Sequence, residues 1–316
     1  MLTFSTDDLR PQDRFDHWCE VRGKSLFGVT IELDRERRRD FQGRFAARQV
    51  GGAVVSEMRA SSYHISRTEA DIANRPGGSL CIGLQVRGPG WLDTGRLPHQ
   101  AIEVNAFTIS HSDQPYLAVP KYWSGFEYRM LKIPLSGEIL LDARAHDLVA
   151  AKLPHGAPFA RPLMALFGAL SRRDEAIADP EADVAHAARL ALMARGRLAA
   201  GTPEGRAALR AGFLHAAREI MARDMARPGL SPTRVARELG ISLRQVHVLF
   251  EPTGQSFSRT LAAIRVKEAA RLLTGTPRTP VIDIAYACGF KNLSVFYRAF
   301  QIAYGLTPGE LRRQAG

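Results

Sequence analysis

Cysteine is scarce in this chain of 316 residues, which contains only Cys19, Cys81 and Cys288. An odd number of widely spaced cysteines excludes a disulfide framework and a cysteine-based zinc motif. No apolar run approaches the ~20 residues that a membrane span requires. The first residues, MLTFSTDDLRPQDRF, lack the basic start and the apolar segment of a secretory signal. These absences predict a reducing, cytoplasmic setting and no membrane association.

Signatures of common catalytic and cofactor sites are also missing. The sequence has no G-x-S-x-G motif, no phosphate-binding loop and no dinucleotide fingerprint. Four histidines of the N-terminal half are scattered, without an H-x-H pair followed by Glu: His64, His99, His111 and His155. A three-ligand metal site is therefore not encoded locally. We expect no enzyme activity, no cofactor and no metal, and we expect these histidines to be exposed or hydrogen-bonded.

Charge of one sign is concentrated in the last third of the chain. From Pro203 onward there are 17 Lys and Arg against 8 Asp and Glu, whereas the preceding part has 26 against 24. Such asymmetry predicts nucleic acid or an acidic surface as the partner of this third. A solubilising, arginine-rich surface is the alternative.

The N-terminal half has the pattern of short β-strands. Leu80, Ile82, Leu84 and Val86 alternate with other residues at the period of a half-buried strand. The segments AFTIS and EYRMLKIP are further strand candidates, with DQPY as a turn between them. Short strands separated by Gly and Pro predict a small sandwich or barrel.

A helical segment follows from about Pro158 and is interrupted at Asp179-Pro180. Its apolar faces require a partner, which is either a symmetric dimer contact or the barrel, and the sequence leaves both open. These faces consist of Leu163, Leu166, Phe167, Leu170, Val184, Ala188 and Leu192. The segment AAGTPEG, residues 199–205, has the composition of a linker.

A pattern of two short helices is written twice in the last third. It occurs as SPTRVARELGISLRQVHVLF and as TPVIDIAYACGFKNLSVFYRAF. Each copy begins with a hydroxyl residue that suits an N-cap, Ser231 or Thr279, followed by Pro at the first helical position. Each then contains a central Ala, stops at a Gly where a left-handed C-cap is expected, and restarts at a new N-cap, Ser242 or Asn292. This order predicts two helix-turn-helix motifs, at 231–251 and 279–303. Cys288 falls on the inner side of its helix, which favours core packing over a redox role.

The second helix of each copy leaves a face that lacks acidic residues. Hydrogen-bond donors, an aromatic ring and apolar groups suit base edges and phosphates in a major groove. The residues of these faces are Arg244, Gln245, His247 and Val248 in the first copy and Leu293, Ser294, Tyr297 and Arg298 in the second. The helix predicted between the copies, residues 256–275, would span about 30 Å. Since one duplex turn is roughly 34–36 Å, we expect the two copies to enter successive major grooves.

The C-terminal ~100 residues resemble the DNA-binding domain of AraC-type transcription regulators. The resemblance is carried by RVARELGISLRQVHVLF, by RVKEAARLL and above all by IDIAYACGFKNLSVFYRAFQIAYGLTPGELR. It implies seven helices, and by position it implies that Arg244, His247 and Val248 face bases, with Gln245 at the edge. Leu293, Ser294, Tyr297 and Arg298 would do so in the second copy. The segment LFEPTGQSF departs from the family pattern, so we expect the first recognition helix to end early, at Phe250.

The region from about Phe41 to Pro134 resembles the sensor domain of one AraC-type subgroup. The matching features are RG before a strand with Trp, GR in a turn, DQPY, and KIP. The resemblance implies a cupin-like β-barrel that binds a small effector or contacts the transcription machinery, with effector residues unknown. Trp91 and Trp123 are interpreted as core residues rather than pocket residues.

The expected fold class is therefore α+β. We expect a cupin-like barrel at 1–157, a helical segment with a dimerisation role at 158–200 and an all-α DNA-binding domain at 203–316. The expected function is a sequence-specific transcription activator with double-stranded DNA, RNA polymerase and a small effector as partners. The alternatives are a metal-dependent cupin-like enzyme fused to a DNA reader, and a non-specific architectural DNA binder.

Overall fold

The computed structural model describes residues 1–141, 143–154, 156–173, 177–227, 229–275 and 278–315. The chain divides into two compact units, Met1–Leu209 and Arg210–Gly316. Within the described ranges, no helix combines the length and the apolar composition needed to cross a membrane. The N-terminal unit is rich in β-strands and the C-terminal unit is helical, which confirms the α+β prediction.

Two antiparallel sheets form the body of the N-terminal unit, as the predicted barrel requires. The larger sheet has the order β1 (Leu2–Ser5), β3 (Gly43–Val50), β4 (Ala53–Ala60), β11 (Phe126–Pro134), β6 (Ser79–Arg87), β9 (Phe107–His111) and β12 (Ala151–Lys152). The smaller sheet has the order β2 (Thr30–Glu32), β5 (His64–Arg67), β10 (Tyr116–Pro120), β7 (Gly90–Asp93) and β8 (Gln100–Ile102).

The N-terminal unit also contains helices, two of which pack on one face of the larger sheet. They are α1 (Arg14–Trp18), continued by a π-helical segment Cys19–Phe27, then α2 (Glu69–Asn74), α3 (Gly137–Leu140), α4 (Ala160–Ser171) and α5 (Pro180–Ala194). The predicted interruption is confirmed, because α5 begins at Pro180 and the Asp179 carboxylate accepts from the amide of Ala182 at 2.9 Å.

Alternation along the strands gives the larger sheet two different faces. On β6, Leu80 and Ile82 join the main hydrophobic core, whereas Cys81 between them faces the other side. Helices α4 and α5 cover the Leu80 side, and the rings of Phe107 and Phe167 meet edge-on at 5.1 Å. The apolar faces of the two helices therefore pack against the barrel, and their side chains are buried in its core.

A second, aromatic core closes the other side of this unit. Trp18 is fully buried among Phe41, Phe45 and Tyr63. Gly43 fits against this indole so closely that a Cβ would overlap the ring. The aromatic core fixes α1 and the π-helical segment after it, and so determines where the side chains of that segment lie.

The C-terminal unit contains the seven helices that the resemblance implies, as far as its described residues go. They are α6 (Pro203–Asp224, which begins in the N-terminal unit), α7 (Pro232–Leu239), α8 (Leu243–Phe250), α9 (Phe257–Gly275), α10 (Val281–Ala287), α11 (Leu293–Tyr304) and α12 (Pro308–Ala315). The linker prediction is wrong for residues 203–205, which form the first turn of α6. The Thr202 hydroxyl caps this turn by accepting the Gly205 amide at 3.0 Å, and Pro203 takes the first helical position.

Helix α9 joins the two predicted motifs. At its start, Phe257 meets Phe250 of α8 edge-on at 5.7 Å. In its second half, Ala269 and Leu273 belong to one buried cluster with Phe296 and Phe300 of α11. Nineteen residues of helix span roughly 28 Å at 1.5 Å per residue. Each motif is therefore anchored to a different part of the same rod.

Candidate nucleic-acid interface

The first motif, α7 and α8, has the local chemistry that the sequence predicts. The Ser231 hydroxyl accepts the Arg234 amide at 3.3 Å, and Gly240 ends α7 with a φ of 69°. Ser242 and Gln245 then form a reciprocal capping box at the start of α8, with hydrogen bonds of 3.2 and 2.8 Å. The prediction that α8 ends at Phe250 is confirmed, and one tight turn with Pro252 follows it.

The second motif, α10 and α11, matches the prediction except at its beginning. No side chain caps α10, which starts at Val281 after Pro280, so the prediction of a Thr279 cap is wrong. The carbonyl of Thr279 instead accepts from the Arg312 guanidinium at 2.6 Å. The turn does contain Gly289 in the left-handed region, with a φ of 85°. The Asn292 side chain caps α11 by accepting the Ser294 and Val295 amides at 2.7 and 3.3 Å.

The eight residues predicted to contact DNA all lie on α8 and α11 and divide into two groups by exposure. The exposed ones are Arg244, Gln245, His247, Ser294, Tyr297 and Arg298, and the half-buried ones are Val248 and Leu293. Tyr297 is 42% exposed, and Leu293 packs partly against the core of the second motif. Six side chains are thus accessible to a ligand, and their contact with bases stays a prediction.

Gln245 has a structural task in addition to its predicted one. Its side-chain oxygen accepts the Ser242 amide, so the side chain is held at the N-terminus of α8. Arg244 and His247 carry no such bond among the hydrogen bonds and ion pairs between described residues. Of the four positions on α8, these two have the greatest freedom to adapt to a ligand.

Sequence reasoning missed exposed apolar residues next to the predicted face of α11. Val295 is 56% exposed and Ile302 is 80% exposed, and both stand one helical turn from Arg298. Leu243 on α8 is similarly exposed. Apolar residues in an amphipathic helix are assigned to the core by default, so the only available signal was their position off the Phe296–Phe300 stripe.

A cluster of charged residues joins the first motif to the end of α6. Asp224 at the end of α6 is buried and lies 2.9 Å from Arg223, 3.4 Å from Arg227 and 3.8 Å from Arg234 of α7. Hydrogen bonding to Arg223 lowers the pKa of Asp224, and the charges of Arg227 and Arg234 act in the same direction. Arg223 also pairs with Glu238 of α7 at 2.8 Å. This cluster fixes α7 to α6 and leaves α8 on the outside.

The N-terminal unit has a cavity of about 200 Å³ between its two sheets. Along β11 it is lined by Tyr128, Met130 and Lys132, and on neighbouring strands by Cys81 and Thr108. Burial raises the pKa of Cys81 to about 11 and opposes thiolate chemistry there. Trp91 and Trp123 are 42% and 41% exposed, so their interpretation as core residues is wrong.

Among the described residues, no group of three His, Cys, Asp or Glu side chains is arranged to hold a metal ion. His99 pairs with Asp93 at 2.9 Å, and His111 accepts the Asp113 amide at 3.1 Å, while desolvation lowers the pKa of His111. His64 lies against Trp123 in a tilted arrangement, with ring centroids 5.5 Å apart. His155 lies outside the described residues.

Two family models match this chain. The AraC-binding-like domain matches residues 18–199, and a helix-turn-helix domain matches residues 235–314. The transcriptional activator NphR of a Rhodococcus species is 26% identical over 291 residues, which cover 88% of this chain and 83% of that protein. The regulator GlxA of Rhizobium meliloti is 39% identical over 122 residues, covering 37% of each chain. The crystal structure of the AraC-like activator CuxR aligns at 19% identity over 91% of this chain and 100% of that one, with a TM-score of 0.49.

Proposed function

Because the chain belongs to the AraC family of transcription regulators, we propose that it activates transcription by reading two successive major grooves with α8 and α11. In this proposal Arg244, His247 and Val248 contact the first segment of DNA, with Gln245 at its edge. Leu293, Ser294, Tyr297 and Arg298 contact the second segment.

The observation that carries the proposal is the pair of outward faces on two capped helices joined to one rod. Six of the eight proposed contact residues are exposed, and none of the eight is acidic. A purely electrostatic binder needs only Lys and Arg against phosphates, whereas Tyr297, His247 and Val295 offer groups that discriminate base edges and thymine methyl groups. This mixture favours sequence-specific reading over architectural binding.

The remaining partners are part of the same proposal. We propose a small effector for the barrel cavity and a contact with RNA polymerase, in a reducing, cytoplasmic setting. A homodimer would have to use a surface other than the apolar faces of α4 and α5, because the main core of the N-terminal unit takes up those faces. The enzyme alternative gains no support from the family models or from the relatives.

The test begins with selection of the DNA sequence that the full-length protein binds from a random pool. Fluorescence anisotropy then compares Arg298→Ala and Arg244→Ala with the unaltered protein on this site and on a scrambled duplex. Each variant should lose about 1–3 kcal/mol of specific affinity and relax selection at one base position.

Arg313→Ala is the matched control, because this exposed arginine of α12 lies outside both proposed faces. It should alter only the salt-dependent affinity that the two duplexes share. Equal binding of selected and scrambled DNA by the unaltered protein would establish the architectural alternative. Unchanged selectivity in both arginine variants would remove these residues from the interface.

A further inference from the structure

Two arginines are buried among the described residues of the N-terminal unit, and the protein provides hydrogen-bond partners for every side of one of them. Arg67 is 5% exposed and donates to the carbonyl oxygens of Ser112 at 2.6 Å, Phe27 at 2.9 Å and Arg75 at 2.7 Å. It also bonds the carbonyl of Gly28 and forms an ion pair with Asp113 at 3.3 Å. Every side of this guanidinium is occupied by the protein, so Arg67 is a structural cation.

Arg22 is buried to the same degree but lacks such partners. It projects from the π-helical segment, is 6% exposed and borders the cavity between the sheets. Among the described residues, only its Nη2 has an acceptor, the Sδ of Met58 at 3.3 Å, while Nε and Nη1 have none. A thioether is a weak acceptor. The guanidinium otherwise lies over the rings of Phe27 and Tyr63, 4.9 and 5.9 Å from their centroids.

An unpaired cation in this position is energetically unfavourable. A buried charge normally has a counter-ion and hydrogen bonds, because desolvation otherwise penalises it heavily. No Asp or Glu occurs among the described residues that line the cavity. The missing partner of Arg22 is therefore an anion that the protein itself does not supply.

The rest of the cavity indicates what accompanies this anion. Its volume of about 200 Å³ is suitable for one ring, since an engineered apolar cavity of ~150 Å³ accepts benzene. The walls near Arg22 are apolar and aromatic, and they include Phe27, Met58, Tyr63, Phe126 and Tyr128. Burial raises the pKa of Tyr63 and of Tyr128, so both phenols remain protonated donors at neutral pH, while the charge of Arg22 opposes this shift.

Besides Arg22 and the fully bonded Arg67, the cavity wall contains the cation Lys132, which lies on a different strand from Met58, the contact of Arg22. Met58, which contacts Arg22, pairs with Tyr128 across the sheet, and Lys132 lies four residues further along β11. Four strand residues correspond to roughly 13 Å at ~3.3 Å per residue. Because the strand positions beside Arg22 and at Lys132 are this far apart, we assign the anion to Arg22 alone, which requires only a monoanion.

We propose that the cavity binds a small carboxylate with a single aromatic or similarly sized apolar ring, and that its carboxylate pairs with the free donors of Arg22. The ring then lies among Phe27, Phe126 and the tyrosines. This assignment rests on the proposed function of the barrel as the effector-binding part, and it specifies the chemical class of the effector and its counter-ion.

The test measures ligand binding to the full-length protein in the absence of DNA. Isothermal titration uses benzoate, phenylacetate, 4-hydroxybenzoate and cinnamate, each paired with its neutral amide. At least one acid should bind saturably and at least tenfold more tightly than its amide. Arg22→Met should weaken that binding at least tenfold, while Lys132→Met, the matched control, should leave it within about threefold.

Thermal unfolding without ligand separates a binding role from a structural one. Replacing an unpaired buried cation by Met is expected to leave the unfolding temperature unchanged or raise it, whereas loss of a structural cation would lower it. Arg22→Lys, which retains the charge but lacks the planar fork, should fold and bind the acid with reduced affinity. It keeps the test decisive if the Met variant does not fold.

Three outcomes overturn the assignment: no acid of the panel binds, the amides bind as well as the acids, or the Arg22 variants retain full affinity while Lys132→Met loses it. Because these measurements contain no DNA, they are independent of the proposed role of α8 and α11. Failure of DNA reading with intact acid binding, or the reverse, shows which proposal is wrong.

Discussion

The α-carbon of Gly289 lies against the main-chain carbonyl oxygen of Met225, so close that a Cβ on this residue would overlap the oxygen. The same carbonyl accepts a hydrogen bond from the Nε of Arg265 at 2.9 Å. Gly289 also has a φ of 85°, where L-residues are strained. The turn of the second motif thus packs against Met225, directly after α6, and against Arg265 of α9. The close contact with Met225 and the positive φ each require glycine at position 289.

Gly289→Ala should therefore destabilise the second motif. The left-handed conformation alone costs about 1–2 kcal/mol for a residue with a Cβ, and displacement of the Met225 carbonyl adds to that. All three tryptophans (Trp18, Trp91 and Trp123) lie in the N-terminal unit, so their fluorescence does not report on this region. Hydrogen exchange of peptides from residues 281–304 is the appropriate measurement, and it should show faster exchange.

Gly275→Ala is the control for this substitution. Gly275 ends α9, has open space around it and does not adopt a positive φ. Alanine should be tolerated there without faster exchange in α10 and α11. Equal protection of the two variants would mean that the contact between Gly289 and Met225 contributes nothing to stability.

Substitutions of Gln245 separate its capping role from its proposed position beside DNA. Gln245→Ala removes one half of the capping box and should lower the free energy of unfolding by about 0.5–1 kcal/mol. Gln245→Glu keeps the box, and its negative charge suits a helix N-terminus, so stability should be retained. If the side chain lies near phosphates, Gln245→Glu should nevertheless weaken DNA binding more than Gln245→Ala does.

Chemical denaturation and anisotropy on the selected DNA measure the two effects separately. A Glu variant that is as stable as the unaltered protein and binds DNA equally well would place Gln245 away from the phosphate backbone. Its contribution would then be confined to the start of α8.

Asp224 should make the C-terminal unit sensitive to acid. Its folded pKa lies below the ordinary value of 3.8, chiefly through the hydrogen bond to Arg223. Near pH 4 the unfolded chain binds a proton that the folded chain does not, so stability falls as the pH drops through the lowered pKa. The pKa values of Glu268 and Glu310 are lowered in the same direction from 4.5. The stabilisation is present above these ordinary values and is lost below them.

Acid titrations of helical ellipticity between pH 2 and pH 5 measure this dependence. Asp224→Asn should be less stable than the unaltered protein at neutral pH, because three arginines lose their shared carboxylate. The variant should also depend less on pH below about 4, since the group that titrates is gone. An unchanged pH profile would show that other carboxylates dominate the acid transition.

Features set by neighbouring residues could be predicted from the sequence. The caps at Ser231, Ser242 and Asn292 and the glycine turns depend on contacts within three or four residues, and all of them formed as expected. The core position of Cys288 also follows from helical periodicity and is confirmed. The early end of α8 could be inferred because proline lacks the amide that continues a helix.

Features set by distant segments could not be predicted. Thr279 does not cap α10, because its carbonyl is engaged by Arg312, which is 33 residues away in sequence. The segment at 203–205 had a flexible composition, although Thr202-Pro203 repeats the hydroxyl–proline start that marked α7. The sequence gives no signal for Arg22, because its surroundings are formed by distant β-strands. These strands place aromatic residues but no carboxylate around it.

Cys81 offers a chemical measure of the cavity wall. It pairs with Lys132 and Ser110 across the sheet and lines the cavity, and burial raises the pKa of its thiol to about 11 despite the nearby lysine. Since the thiolate is the reactive form, iodoacetamide at pH 7.5 should modify Cys81 roughly two orders of magnitude more slowly than a free thiol of pKa ~8.5. Peptide mass spectrometry over time gives the rate, with the urea-unfolded chain as the reference. Modification at the reference rate would mean that the thiol is solvated, and that this side of the cavity is open to water.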